Sequence, residues 1–215
     1  MKRKFQHIAY LLMVAAVITS CGEKKQTSEF PDWAWADFQR PEGINPIVSP
    51  DTTTVFYCPM RQDSVAWESS DTFNPAATIY DGKVVVLYRA EDNSAVGIGS
   101  RTSRLGYAYS DDGLHFNRMT VPVFYPADDN QKELEWPGGC EDPRVAVTDD
   151  GLYVMLYTQW NRKQTRLAVA TSRDLQIWEK YGPAFAKAYG GRFFDEFSKS
   201  ASIVTKLVDG KQVIA

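Results

Sequence analysis

AATIYDGKVVVLY, residues 76–88, places two β-branched runs on either side of Asp81 and Gly82. Glycine accepts the positive φ that a tight two-residue turn requires, so the pair predicts a β-hairpin. The run RLGYAYS follows at residues 104–110, and after the turn DDG comes LHF at residues 114–116. The stretch therefore predicts four short antiparallel strands in succession.

The same order of strands and turns recurs further along the chain. VAVTDDGLYVMLY at residues 145–157 is followed by RLAVATS at residues 166–172 and LQIW at residues 175–178. A third unit begins with ASIV at residues 201–204 and turns at DG, residues 209–210. The hairpin glycine returns after roughly 60 to 70 residues, a period typical of β-propeller blades. A β-sandwich is the alternative, but matching hairpins in successive units favour the propeller.

The predicted fold class is all-β, with an incomplete ring of blades. Two blades and part of a third cannot close a ring, and the sequence stops within a strand pattern. We therefore expect residues 33–215 to be the N-terminal portion of a longer propeller that is truncated at its C-terminus.

A targeting segment precedes this domain. Residues 2–4 are KRK, and the apolar run that follows at residues 8–18 is too short to span a bilayer as a mature helix. The sequence ITS then precedes Cys21, which is similar to a bacterial lipobox. We predict a lipoprotein signal peptide at residues 1–20 and a lipidated Cys21 with a tether at residues 21–32, with ordinary secretion as the alternative. Acyl chains on Cys21 would anchor the protein to a membrane of the bacterial cell envelope, in the periplasm or at the outer membrane.

Charge and composition exclude several classes of partner. The chain has 24 Lys and Arg against 27 Asp and Glu, without a basic stripe, so no nucleic-acid partner is predicted. Its two histidines, His7 and His115, do not make a zinc site, and no metal is predicted. Besides Cys21 the chain has Cys58 and Cys140. The sequence leaves open whether these two form a disulfide or remain separate buried thiols.

GGCEDPRV, residues 138–145, is the strongest local signal for chemistry. It joins a glycine-rich turn to two carboxylates, Glu141 and Asp142, and to the guanidinium of Arg144. Pro143 lacks an N–H donor and has a fixed φ, so we expect it at the first position of the following strand. The charged side chains either form an ion pair that stabilises the turn or point into the central funnel of the propeller.

Four motifs in a fixed order resemble glycoside hydrolase family 130, the β-mannoside phosphorylases and β-1,2-mannosidases. They are NPAA at residues 74–77, YRAED at 88–92, SRLGYA at 103–108 and GCEDPR at 139–144. The resemblance implies a five-bladed β-propeller whose active site lies in its central funnel. This chain would hold about the first two to three of those blades.

The resemblance also implies roles for individual residues. Asp142 matches the family's general acid, which protonates the glycosidic oxygen through a hydroxyl of the mannose. We expect burial and the neighbouring Glu141 to raise the pKa of Asp142, since an acid must carry a proton at the working pH. Lys199 matches a lysine of the funnel. The other residues expected to bind the substrate or the second reactant are Asn74, Arg89, Asp92, Arg104, Glu141 and Arg144.

The residue three positions before this lysine bears on the attacking group. Phosphorylases of the family commonly have an arginine there, whereas this chain has Glu196. A carboxylate repels phosphate and can deprotonate water, so Glu196 is predicted as the base of an inverting hydrolase. A slip of one residue in the alignment would assign the base to Asp195 instead. A solvated acidic loop is the structural alternative.

The sequence therefore predicts an inverting glycoside hydrolase that cleaves β-mannosides of an oligosaccharide or glycan, with β-1,2 linkages favoured. Acid–base chemistry at a glycosidic bond needs only carboxyl groups and water, so no cofactor is predicted. Two alternatives stay open. One is a β-mannoside phosphorylase that releases mannose 1-phosphate, and the other is a non-catalytic glycan-binding propeller.

Overall fold

Antiparallel β-sheet makes up most of the protein. The structure, a computed structural model, describes residues 39–208 and 211–214. The described residues from Glu42 onward form one compact unit. The predicted signal peptide, Cys21 and the tether fall outside the described residues, and their assignment stays a prediction. Within the described ranges no helix is long and apolar enough to cross a membrane.

The described residues form twelve strands, one short α-helix and one 3₁₀ turn. The strands are β1 (Phe56–Cys58), β2 (Asp63–Val65), β3 (Asp71–Tyr80), β4 (Lys83–Glu91), β5 (Ser103–Ser110), β6 (Asn117–Arg118), β7 (Gly139–Val147), β8 (Tyr153–Trp160), β9 (Thr165–Ser172), β10 (Glu179–Pro183), β11 (Ile203–Val208) and β12 (Lys211–Ile214). Helix α1 (Lys132–Glu135) precedes β7, and the 3₁₀ turn (Ala188–Gly191) lies between β10 and β11.

Two four-stranded units follow one another along the chain, and we define them as blade 1 and blade 2. Blade 1 consists of β3, β4, β5 and β6, and blade 2 of β7, β8, β9 and β10, each paired in antiparallel order. A single parallel pairing between Ser103 and Gly139 joins β5 to β7. The hairpin of β11 and β12 begins a third unit. The predicted all-β repeat of four-stranded blades is confirmed.

Gly139 is required where the two blades meet. Its φ is 115°, and a Cβ at this position would overlap the backbone oxygen of Ser103. The Ser103 N–H donates to the carbonyl of Gly138 at 2.8 Å. Only a residue without a side chain permits this approach of two backbones. The contact fixes the start of β7 and therefore the position of the charged residues that follow it.

The inner strand of each blade carries a bulge at a proline. The pairing of β3 with β4 shifts at Pro75, and the pairing of β7 with β8 shifts at Pro143. Proline cannot donate to a ladder, so a bulge is one of the few places where a sheet tolerates it. The expectation that Pro143 begins its strand was wrong, because β7 already starts at Gly139, where the close contact with β5 holds the chain.

The fourth strand of each blade begins later than predicted. LHF and LQIW belong to turns, and β6 and β10 start after them. In each turn an aspartate accepts hydrogen bonds from two backbone N–H groups, at 2.8 Å for Asp112 and at 2.8 and 2.9 Å for Asp174. These bonds hold the backbone in a turn and override the β propensity of the apolar residues.

The main core lies between the two blades. It contains the fully buried side chains of Val85 and Leu105 from blade 1 and of Met155 and Tyr157 from blade 2. Burying a large apolar side chain contributes about 1.5–3 kcal/mol. The contact between blades is therefore a principal source of stability for the described part of the chain.

The two cysteines lie in different hydrophobic clusters. Cys140 belongs to the core between the blades, whereas Cys58 packs with Trp67 and Tyr88 in a second cluster. Both are free and buried. Of the two arrangements that the sequence left open, the structure shows two separate thiols.

A buried glutamate that precedes each blade joins a tyrosine of the blade's second strand to a cation of its fourth strand. The two sets are Glu68, Tyr88 and Arg118 for blade 1 and Glu135, Tyr157 and Lys180 for blade 2. The tyrosine hydroxyl donates to the glutamate at 2.8 Å in blade 1 and 2.7 Å in blade 2. A buried carboxylate must be paired, so both sets hold the second and fourth strands of a blade in register.

Candidate active site

The two inner-strand bulges bring Asn74 and Asp142 together. Both have positive φ, 44° and 49°, a conformation that asparagine and aspartate tolerate better than most residues. The Asn74 amide donates to Asp142 Oδ1 at 2.9 Å. Backbone strain of this kind costs about 1–3 kcal/mol per residue and clusters at functional sites. The paired bulges therefore mark a candidate active site.

Arg89 of β4 joins both blades at this site, and its side chain is only 3% exposed. Its NH1 group donates to Asp142 Oδ1 at 3.1 Å, and its NH2 group lies 2.6 Å from Glu91 and 2.8 Å from Glu141. The guanidinium also lies over the ring of Phe73, 4.5 Å from the ring centre. A planar guanidinium with several donors suits this role, because it can bind three carboxylates in fixed directions.

Lys199 reaches the same carboxylates from the segment before β11. Its Nζ lies 2.8 Å from Glu141 Oε2 and 3.3 Å from Asp142 Oδ2. The Ser198 hydroxyl accepts a hydrogen bond from the N–H of Leu167 at 3.0 Å, which ties this segment to β9. The Lys199 side chain is 42% exposed, so it covers the two carboxylates from the solvent side.

The expectation that Asp142 has a raised pKa was wrong. Burial by itself raises the pKa of Asp142, but the hydrogen bond from Asn74 and the charge of Arg89 outweigh it and hold the pKa below its usual value. For Glu141 the balance is reversed, because burial raises its pKa by more than Arg89 and Lys199 lower it. Of the two adjacent carboxyl groups, Glu141 therefore holds a proton more readily.

Three carboxylates and two cations meet at this site. Carboxylates and ammonium or guanidinium groups accept from and donate to hydroxyl groups, so the site suits a neutral ligand rich in hydroxyls. Adjacent carboxyl groups with pKa values moved in opposite directions suit proton transfer. In the part of the chain that the structure describes, no group of three or more His, Cys, Asp or Glu side chains is arranged to hold a metal ion.

Two of the predicted site residues form a separate buried pair. Arg104 donates to Asp92 at 2.9 Å, and neither side chain is more than 1% exposed. Arg104 also lies 3.4 Å from the sulfur of Cys58. The structure therefore does not bring Arg104 and Asp92 into the cluster around Asp142. Instead, they join the ends of β4 and β5 behind it.

Arg144 and Glu196 also lie outside that cluster. Arg144 donates to the carbonyl of Pro143 at 2.7 Å. Glu196 is exposed on the segment that leads to Lys199. Its neighbour Asp195 pairs with Arg166 at 3.2 Å, whereas Glu196 takes part in none of the ion pairs found among the described residues.

The sequence did not predict the roles of Glu91, Ser103 and Phe73 in the cluster. Arg89 donates from Nε to the Ser103 hydroxyl at 3.1 Å, and that hydroxyl donates to Glu91 at 3.2 Å. Alternate residues of a strand point to the same face. Glu91 follows Arg89 by two positions on β4, so this periodicity was the signal that could have identified it.

Comparison with known proteins identifies sequence relatives that act on mannosides. The sequence profile of glycoside hydrolase family 130, described as β-1,4-mannooligosaccharide phosphorylase, matches residues 39–215. A 1,2-β-oligomannan phosphorylase from Thermoanaerobacter sp. (strain X514) is 36% identical over 152 residues. The aligned region covers 69% of this chain and 46% of that protein.

Solved structures resemble the chain over most of its length. A protein from Bacteroides thetaiotaomicron VPI-5482, described as a proposed glycosidase, is 99% identical with a TM-score of 0.81, over 87% of this chain and 54% of that one. A second structure represents glycoside hydrolases of the GH130 mannoside phosphorylase family that target β-1,2 mannosidic linkages in Candida mannan. It is 69% identical with a TM-score of 0.81, over 86% of this chain and 52% of that one. These relatives are five-bladed β-propellers, and this chain spans about half of their length.

Proposed function

The chain belongs to glycoside hydrolase family 130, whose members act on glycosides, and we propose that the protein is an inverting, exo-acting β-mannosidase. Its substrate would be an oligosaccharide or glycan with β-1,2-linked mannose. The observation that carries the proposal is the set of contacts from Asn74, Arg89 and Lys199 that holds Asp142 between two blades. The 69% identity to a structure representing hydrolases of β-1,2 mannosidic linkages supports the same reaction and linkage.

Asp142 is proposed as the general acid, which must carry a proton when the glycosidic bond breaks. Lys199 contacts Asp142 from the exposed side of the site. A bound mannoside that displaces the Lys199 ammonium removes a positive charge from Asp142 and buries its carboxyl further. Both changes raise the pKa of Asp142, so the acid becomes protonated where the substrate is bound. The proton would then pass through a mannose hydroxyl to the leaving oxygen.

Glu196 is proposed as the base that activates the attacking water. Inverting hydrolysis needs a second carboxylate on the opposite face of the sugar, about 6.5–9.5 Å from the acid, so that a water fits between them. Glu196 is exposed and lies three residues from Lys199, which contacts Asp142. The ion pair of Asp195 with Arg166 favours Glu196 over its neighbour in this role.

Product analysis of the intact protein tests hydrolysis directly. We expect β-1,2-mannobiose to yield only free mannose, at a rate that added inorganic phosphate does not increase. Replacement of Glu196 by Gln should lower the rate by about 100-fold, the loss typical of a missing general base. Mannose 1-phosphate formed at a rate that rises with phosphate would contradict the proposal, and so would a Glu196→Gln variant with unchanged hydrolysis.

Phosphorolysis is a second candidate, since the Thermoanaerobacter relative at 36% identity is a phosphorylase. The exposed ammonium of Lys199 is a suitable partner for an anion. Against this candidate, Glu141 and Asp142 lie beside that ammonium and would repel phosphate. The product analysis distinguishes the two reactions in one measurement.

Attachment to the bacterial cell envelope through lipid on Cys21 is also a proposal. The first 21 residues support it, because a basic start is followed by an apolar run and then by the sequence ITS directly before Cys21. Replacing Cys21 by Ser should leave an unprocessed precursor or release the protein from membranes, as judged by membrane fractionation and mass spectrometry. A Cys21→Ser protein that is processed and membrane-bound like the wild type would contradict the lipid anchor.

A further inference from the structure

The guanidinium of Arg89 makes contacts to residues of both blades. On one side its Nε donates to the Ser103 hydroxyl at 3.1 Å and its NH2 group donates to Glu91 Oε1 at 2.6 Å. On the other side NH1 donates to Asp142 Oδ1 at 3.1 Å, and NH2 also lies 2.8 Å from Glu141 Oε1. Glu91 and Ser103 thus share one guanidinium with the two carboxylates of blade 2.

Glu91 is itself held firmly. It has no exposed surface, and it accepts a hydrogen bond from the Ser103 hydroxyl at 3.2 Å. Its second carboxylate oxygen lies 3.5 Å from Arg101, and its backbone carbonyl accepts the N–H of Ser70 at 3.0 Å. A carboxylate fixed in this way can orient an arginine, whose free side chain has about 2 kcal/mol of rotamer entropy.

We propose that Glu91 is a positioning residue, which directs Arg89 toward Asp142 and shares its positive charge so that Asp142 can still take up a proton. This inference rests on the proposed role of Asp142 as the general acid. Without Glu91, the whole charge of Arg89 would act on Glu141 and Asp142. Glu141 and Asp142 would then stay ionised down to a lower pH, so Asp142 would lose its catalytic proton at a lower pH.

The charged groups around Asp142 and Glu91 determine the sign of this effect. Asp142 faces Arg89 from β4, Glu141 from its own strand and Lys199 from the segment before β11. Glu91 faces Arg89 and Arg101. The Glu91→Gln substitution changes none of these cations. It removes one negative charge from the cluster, which favours ionised Asp142.

The test is the pH dependence of kcat/KM in the intact protein carrying Glu91→Gln. The glutamine oxygen can still accept from Arg89, so the variant removes the charge and keeps an acceptor. We expect the alkaline limb of the profile, where the free enzyme loses its acid proton, to move to lower pH by about one unit.

Glu68→Gln is the matched control, because Glu68 is also a fully buried glutamate. It contacts Tyr88 and Arg118 of blade 1 and none of the described residues around Asp142. We expect this variant to show an unshifted pH profile. An unshifted limb in Glu91→Gln, or an equal shift in both variants, would overturn the inference.

Should Glu91→Gln fail to fold, Ser103→Ala tests the same support for Arg89, with kcat expected to fall about fivefold at nearly constant KM. An unchanged kcat in Ser103→Ala would overturn the inference as well.

An Asp142→Asn arm separates this inference from the proposed function. If Asp142→Asn keeps its turnover, Asp142 is not the acid and the proposed function fails. If Asp142→Asn is inactive while the pH profile of Glu91→Gln matches that of the wild type, only the positioning role fails.

Discussion

At the bulge of its inner strand, blade 1 carries Phe73 and Asn74 where blade 2 carries Glu141 and Asp142. Both pairs precede a proline, and Asn74 and Asp142 share a positive φ. The backbone is therefore repeated, whereas the side chains differ: an aromatic ring and an amide in one blade, and two carboxyl groups in the other.

The neighbouring strand differs in the same way. Arg89 of β4 pairs with Phe73, and Thr158 of β8 pairs with Glu141, so the two residues occupy equivalent positions. One residue before them, both strands carry a tyrosine whose hydroxyl donates to a buried glutamate. The repeat conserves the scaffold inside each blade. The proposed chemistry is divided between the blades, because blade 1 supplies the buried cation Arg89 and blade 2 supplies the adjacent carboxyl groups of Glu141 and Asp142.

Exchange of the two bulge residues, Asn74 and Asp142, tests the difference between the blades with the largest expected effect. Asp142→Asn should lower kcat on β-1,2-mannobiose by about 1,000-fold, within the range for loss of a general acid. The double variant Asn74→Asp with Asp142→Asn should fold, since both positions share one backbone conformation, and should stay as inactive as the single variant. Mannose release and circular dichroism measure the two outcomes.

A glycan-binding propeller gives a different result in the same experiment. An Asp142→Asn protein with unchanged affinity for mannobiose, compared with a wild type that shows no turnover, would favour binding over catalysis. Recovered activity in the double variant Asn74→Asp with Asp142→Asn would show that an acid can act from either blade. That result would contradict the proposal that only blade 2 supplies the acid.

Substitution of the equivalent residues Arg89 and Thr158 tests the division through stability. Arg89→Met should lower the free energy of unfolding by about 3–5 kcal/mol, because it leaves buried carboxylates without their shared cation. Thr158→Val should change it by no more than about 1 kcal/mol, or raise it. The buried Thr158 hydroxyl has no hydrogen-bond partner among the described residues, so its loss removes a desolvation cost and no bond. Urea denaturation measures both, and equal losses would contradict the comparison.

The pH dependence of stability should distinguish the two adjacent carboxyl groups of blade 2. The folded pKa of Asp142 lies below its usual value, so its contribution to stability is present above the unfolded pKa of about 3.9 and is lost as the pH falls through the folded pKa. The folded pKa of Glu141 is raised, so its contribution is present below about 4.3 and is lost as the pH rises through the folded pKa.

At neutral pH, Asp142→Asn should therefore lower the free energy of unfolding and Glu141→Gln should raise it. The difference for Glu141→Gln should shrink as the pH falls toward the unfolded pKa of about 4.3, whereas the difference for Asp142→Asn should shrink only as the pH falls through the lowered folded pKa of Asp142. Denaturation curves across this pH range measure the effect. The same sign for both variants at neutral pH would contradict the assignment of the two pKa shifts.

The sequence predicted the repeat well because hairpin turns and β-branched runs are local signals. The Asp-Gly pair at Asp81 and the recurring glycines were enough to define the blades. The fourth strands were placed too early, because Asp112 and Asp174 hold turns through side-chain bonds that compete with apolar propensity.

The candidate site was predicted less completely, because its contacts join distant parts of the chain. The resemblance identified Asn74, Arg89, Asp142 and Lys199, which the structure brings together. Local sequence could not tell that Arg104 pairs with Asp92 away from the cluster. Nor could it give the sign of the Asp142 pKa shift, which depends on the positions of Asn74 and Arg89 relative to the carboxyl.

The most direct test of Asp142 as the acid is how the loss of activity in Asp142→Asn depends on the leaving group. A disaccharide needs its leaving oxygen protonated, whereas 2,4-dinitrophenolate leaves without a proton. We predict that Asp142→Asn lowers kcat/KM by about 1,000-fold for β-1,2-mannobiose and by less than about tenfold for 2,4-dinitrophenyl β-mannoside. An equal loss on both substrates would contradict the account and would mean that Asp142 serves the structure of the site rather than proton transfer.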